Sequence, residues 1–362
     1  MTLGVSIYPE KTTFEQDKRY LEKAYELGFR RVFTSLLELT GDADQVISNF
    51  KKTVLFASEL GMEVMVDINP KIFKQIGVSY QDLSFFADLG AYGIRLDIGF
   101  TGREEAEMTR NPYGLKIEVN MSIGTKYIDN IISFSPNRKN LLGSHNFYPM
   151  AFSGLSEDFY RSCSEQFRAY NLETGAFISS KHATLGPWPL QDGLCTLEQH
   201  RNQSIRNQAL YYTLDDNIDT IIIGDAYATD EELAEVAEVY FATHPTFQVK
   251  LADDIQTLER EIVLDELHSY RGDRSDYLIR SSMPRIKFRD KNINVSEVEA
   301  LKRGDVVIGN NNFGQYKAEL HIILKDIPNI NNRVNLVGRL TDESIAMLDY
   351  LKPWSKFKIE SV

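Results

Sequence analysis

Eight times between residue 3 and about residue 243, a short run of β-type residues is followed by a stretch with helical periodicity. The runs are "LGVSIYP", "RRVFTSLLE", "MEVMVDINP", "YGIRLDIGF", "LKIEVNMS", "LLGSHNFYP", "GAFISSK" and "DTIIIGDA". Regular strand–helix alternation builds a parallel sheet, because a helical crossover returns each strand in the same direction. Eight such units point to a closed TIM-type (β/α)8 barrel of class α/β. The helical stretches "TFEQDKRYLEKAYELG" and "DADQVISNFKKTVLFASELG" open at Thr or Asp caps and stop at Gly28 and Gly61. An open doubly wound sheet is the alternative. It would carry a Gly-rich phosphate turn after its first strand, and "YPEKTTFEQ" has none.

After "TDEELAEVAEVYFATHP" the pattern changes to short β-type runs separated by turns: "FQVKLA", "YLIRSS", "RIKFR", "DVVIGN", "AELHIILKD" and "RVNLVGRL". A barrel domain over 1–245 and a smaller β-rich domain over 246–362 are therefore expected, with "TDESIAMLDYLK" as the second domain's one clear helix. The length of 362 residues fits this division, since single cores stop growing near roughly 250–300 residues.

Hydrophobic residues at 43% and charged residues at 25% give an ordinary packed chain rather than a disordered one. A net charge of −12 disfavours nucleic acid or anionic lipid as a partner. The opening residues lack a secretory-signal layout, and no apolar run approaches the roughly 20 residues a bilayer span needs. The expected location is cytoplasmic. Cys163 and Cys195 stand alone without CxxC spacing, and no HExxH is present, so neither disulfide, metal nor cofactor is expected. Oligomeric state is not legible.

Barrel enzymes hold their reactive groups at the C-terminal ends of strands. There, Asp67 with Asn69, Arg95 with Asp97, and Glu118 with Asn120 form three i, i+2 pairs on consecutive strands, each facing one side of the sheet. Buried carboxylates are costly unless paired, so three such pairs in a row suggest a shared wet site. Glu38, His145, Asn146, Lys181, His182 and Asp225 fall at other strand ends and extend the ring. The competing reading is a set of structural ion pairs inside the barrel. His200, His244 and His321 read as surface or packing residues. Tyr8, Phe100, Tyr148, Trp188 and Tyr227 are candidates for a sugar-stacking wall, with packing as the alternative for each.

The second domain carries "DELHSYRGDRSDYLIRSSMPR", in which Arg271, Arg274, Arg280 and Arg285 lie close together with His268. Guanidinium groups suit phosphate or carboxylate, so this stretch is a candidate anion clamp contributing to the substrate site. A solvated face balanced by Asp265, Glu266, Asp273 and Asp276 is the alternative.

The segments "LGVSIYPE", "LGFRRVFTSLLE", "MVDINP", "GIRLDIGF", "IEVNMS", "HNFYP" and "HSYRGDRSDYLIRSS" resemble, in order and over essentially the whole chain, the bacterial 6-phospho-N-acetylmuramidases. The resemblance implies a β/α barrel followed by a cyclophilin-like β-barrel domain. It also implies a cytoplasmic enzyme that hydrolyses 6-phospho-N-acetylmuramyl-N-acetylglucosamine in cell-wall sugar recycling. The catalytic pair rests on strand position instead. Glycoside hydrolysis needs a carboxylic acid and a second carboxylate. Glu118 is the expected acid and Asp97 its partner, with Asp67, Glu38 and Asp225 in reserve. Tyr8, Asn69, Arg95, Asn120, His145, Asn146, Lys181, Arg271, Arg274 and Arg280 are the expected substrate contacts. Retaining, inverting and substrate-assisted routes all stay open. Two rivals remain: a barrel lyase or aldolase using Lys181 as a Schiff base, and a non-catalytic sugar-phosphate-binding protein.

Overall fold

The computed structural model describes residues 2–36, 43–68, 73, 78–190 and 192–362, with backbone alone for 43–46. It divides into two compact units, Met1–Tyr240 and Phe241–Val362.

The first unit is the expected closed parallel barrel. Its strands are β1 (Thr2–Ile7), β2 (Arg31–Ser35), β3 (Glu63–Ile68), β4 (Gly93–Leu96), β5 (Lys116–Asn120), β6 (Leu141–Ser144), β7 (Glu173–Ile178) and β8 (Thr220–Ile223), paired in sequence order with β8 closing on β1. Every strand falls within or beside one of the eight apolar runs. Two features explain how the sequence starts and stops its outer helices. Helix α1 (Phe14–Glu26) opens with the Thr13 N–H donating to Gln16 Oε1 at 3.1 Å, which satisfies a donor the helix itself cannot use. After α1 and α2 (Ala43–Glu59), Gly28 and Gly61 take φ of +93° and +86°, a left-handed turn that costs glycine nothing and directs the chain into the next strand. The Asp expected to cap α2 lies outside the described residues.

Register sets the interior. Asp67 on β3 pairs with Arg95 on β4, and Arg95 with Glu118 on β5, so three charged side chains fall in one row across adjacent strands. A different filling occupies the β1, β2, β7 and β8 side, where Tyr8, Phe33, Phe177, Ile222 and Ala226 form a buried cluster. Phe177 meets Phe33 and Phe147 edge-on, both at 5.1 Å between ring centres. One half of the barrel is thus apolar and aromatic, the other charged.

The second unit is mostly β. Its strands are β9 (Thr246–Leu251), β10 (His268–Ser269), β11 (Leu278–Ser281), β12 (Ala300–Leu301), β13 (Asp305–Gly309), β14 (Leu320–Ile323), β15 (Ile327–Pro328), β16 (Val334–Leu340) and β17 (Lys356–Ser361). Seven of them form a nearly closed, barrel-like sheet in the order β10-β17-β9-β16-β13-β14-β11, and β12 pairs with β15 apart from it. Only β9 and β17 run parallel within that sheet.

The "RIKFR" run is not the expected strand. Those residues lie in and just after a short helix, Met283–Phe288, not in a strand, because Pro284 fixes a helical φ in the first turn. "TDESIAMLDYLK" does form a helix at Asp342–Met347, but a further one spans Thr257–Leu264 with Glu259 bonding back to the Gln256 N–H. Strands β10, β12, β15 and β17 fall outside the expected runs; the first three are two residues long and β17 is a lysine-rich alternation, so they give little signal.

Candidate active site

Arg95 organises the charged half of the barrel. Its side chain is 3% exposed, and each edge of the guanidinium is engaged. Nη1 donates to Asp67 Oδ1 at 2.8 Å and lies 3.6 Å from Asp97 Oδ1. Nε donates to the Ser144 hydroxyl at 2.9 Å and lies 3.6 Å from Glu118 Oε1, while Nη2 donates to Asn146 Oδ1. One buried cation therefore faces three carboxylates, an excess of negative charge that favours holding a proton within the group.

The three carboxylates differ in depth. Glu118 is innermost: its Oε1 accepts from Ser144 Oγ at 2.6 Å, and its Oε2 lies 3.8 Å from Arg31 Nη1. Arg31 in turn binds Glu63 at 2.9 Å and Glu173 at 3.0 Å at the N-terminal mouth. Both Glu118 oxygens thus have a cation beside them. Asp67 is also buried, and that burial pushes its carboxyl up to about 7; Arg95 pulls it down, while Asp97 and Glu118 push it up further. Asp97 is the open member, with its side chain 36% exposed.

Asp225, just after β8, is a further buried carboxyl. Burial raises it to about 7 against the hydrogen bonds that Ser179 Oγ donates at 2.8 Å and the Ser180 N–H at 3.0 Å.

The remaining predicted contacts separate into two groups. Asn146 touches Arg95, and Asn120 donates to the Asp97 carbonyl at 3.4 Å, so both belong to the charged cluster. His145 is fully buried between Ser122 Oγ at 3.1 Å and Ser164 Oγ at 2.9 Å. Burial, then Arg95, lowers its pKa to about 3, which keeps the ring neutral. Tyr8 is fully buried in the aromatic cluster, its hydroxyl donating to the Gly224 carbonyl at 2.6 Å; its contacts are those of a packing residue. Tyr227 packs edge-on against Tyr20 and donates to Asp17 at 2.7 Å. Trp188 is 39% exposed, and Lys181 is exposed immediately after β7. Glu38 and Asn69 lie outside the described residues.

In the second unit, Arg271 and Arg280 line one cavity, whereas Arg274 is exposed and is not among its lining residues. Among the described residues no cluster of three or more His, Cys, Asp or Glu could hold a metal ion, and no helix is long and apolar enough to cross a membrane.

Two participants escaped the sequence reading. Ser144 relays between Arg95 and Glu118, and nothing in a lone serine announces that. Arg31 did carry a signal, a charge opening the apolar run "RVF", of the same kind that marked Arg95.

A crystal structure of an uncharacterized B. cereus protein is 44% identical, with a TM-score of 0.91 over 99% of both chains. A conserved Enterococcus faecalis protein of unknown function shares the fold at 24% identity, with a TM-score of 0.77 over 100% of this chain and 96% of its own. No curated protein matches the chain. The N-terminal model of 6-phospho-N-acetylmuramidase matches residues 3–238, and the C-terminal model matches 245–360. These two matches together span nearly every residue and both units, and on that ground the chain belongs to the 6-phospho-N-acetylmuramidase family, whose name describes a glycosidase.

Proposed function

We propose that the barrel hydrolyses the glycosidic bond of 6-phospho-N-acetylmuramyl-N-acetylglucosamine, in cytoplasmic recycling of cell-wall sugars. The observation that carries this reading is the contrast between Asp67 and Asp97 on either side of Arg95. One carboxyl is buried and pushed up to about 7, and the other is half-open to solvent. Glycosidases separate their two carboxyl roles through such a difference in environment.

In this reading Asp67 holds the proton for the leaving oxygen. Asp97 faces the anomeric carbon, as nucleophile, as base for water, or as orienting group for the substrate's own acetamido carbonyl. Glu118, given the acid role on strand position, takes a positioning role: it fixes Arg95 through Ser144 from below. Asp225 is the reserve acid. Arg95 has its donors occupied, so Lys181 is the barrel cation offered to the 6-phosphate. The units correspond to a catalytic domain and a smaller domain of the cyclophilin-like kind.

The test is turnover. Purified Asp67→Asn and Asp97→Asn are assayed by mass detection of product from the phosphorylated disaccharide. Each is expected to lose on the order of 10²–10⁴-fold in kcat with the fold intact. Near-normal rates in both would remove this pair.

A further inference from the structure

The second unit contains a cavity of about 630 Å3 lined by Arg271, Arg280, Arg285 and Arg289 together with Asp273 and Tyr316. Four guanidinium groups on one concave wall are unusual in a chain of net charge −12. Their arrangement is built from beneath. Glu319 is wholly buried; its Oε1 accepts from Arg280 Nε at 2.7 Å and lies 3.2 Å from His321 Nε2, and its Oε2 lies 3.0 Å from Arg285 Nη1. One buried carboxylate thus anchors two arginines by one edge each. Arg280 and Arg285 also lie over the Tyr316 ring, 5.6 and 5.3 Å from its centre. Arg271 is held by Asp273 through contacts of 2.6 and 2.7 Å.

The anchored edges leave others available. Arg280 Nη2 and Arg285 Nε and Nη2 make no hydrogen bond among the described residues. Four cations stand against Asp273 and Glu319, and the Asp290 that approaches Arg289 at 3.6 Å is solvent-exposed. We propose that this cavity is a binding site for a phosphomonoester dianion. Guanidinium forks present paired donors at the spacing of phosphate oxygens, and the excess positive charge matches a dianion. The volume admits a sugar-sized body as well as the phosphate. A polyanion such as nucleic acid is disfavoured, because the cations are gathered in a hollow rather than spread along a face and the rest of the chain repels it. The site does not rest on the glycosidase reading of the barrel, and either can fail without the other.

Calorimetric titration of the full chain with inorganic phosphate, glucose 6-phosphate and glucose tests this. Wild type is expected to bind one or both phosphates and not glucose. Tighter binding of inorganic phosphate identifies the free ion as the ligand, and tighter binding of glucose 6-phosphate identifies a sugar phosphate. Arg271→Gln/Arg289→Gln, which spares the anchors of Glu319, should weaken binding at least tenfold. Arg285→Lys, which keeps the charge but loses the fork, should weaken it several-fold. No binding by wild type at millimolar phosphate, or wild-type affinity in both variants, overturns the proposal.

Discussion

The barrel and the second unit use the same device with opposite sign. In the barrel one buried arginine, Arg95, is ringed by Asp67, Asp97 and Glu118. In the second unit one buried glutamate, Glu319, is ringed by Arg280, Arg285 and His321. In both, the minority charge is buried and fixes the geometry of the opposite charges around it. The difference lies in what the surplus does. A surplus of carboxylates retains a proton and suits developing positive charge on a sugar ring; a surplus of guanidinium groups has no proton to give and suits an anion.

Removing either centre is the severest test. Arg95→Met strands three carboxylates and Glu319→Ala strands two arginines. Each should cost about 3–5 kcal/mol in unfolding free energy, measured by urea denaturation of the whole chain. If one substitution is neutral, the mirrored account fails for that unit. A smaller effect concerns titration. Because Asp67 is pushed up to about 7, kcat/KM should fall as pH rises through about 7 and the acid loses its proton. Asp67→Glu should move that limb, and a profile flat from about pH 6 to 9 would contradict the acid role.

Asp225 gives a stability counterpart. Its folded-state carboxyl lies at about 7, above the ordinary 3.8, so wild type loses stability as pH rises between those values. Asp225→Asn should therefore gain on wild type by about 1–3 kcal/mol between pH 4 and 8 in denaturation curves. The smallest effect is at Lys181. Lys181→Met should raise KM for the phosphorylated disaccharide several-fold with kcat nearly unchanged. Loss of all turnover, together with borohydride trapping of a carbonyl substrate in wild type, would favour the Schiff-base lyase instead.

The barrel was legible because each strand is a compact apolar run and α1 and α2 end at Gly28 and Gly61; the period of the pattern carries the fold. The row Asp67, Arg95, Glu118 was legible as charges placed where apolar residues belong. Depth was not. Strand position treats Glu118 and Asp97 alike, yet the register sets Glu118 level with Arg95 and buried, and leaves Asp97 two residues further along at the opening. Arg274 shows the same limit: it is three residues from Arg271, yet it is exposed and does not line the cavity.

Glu118 also lies within reach of Arg31, which reaches Glu63 and Glu173 at the opposite mouth. On the charged side, alternating charges therefore run from Arg31 at the foot through Glu118 and Arg95 to Asp97 at the rim. A charge change at the foot alters the field felt by Arg95 and, through it, the proton affinity of Asp67. Protein engineers who redesign that lower mouth for stability would be retuning the chemistry at the far side.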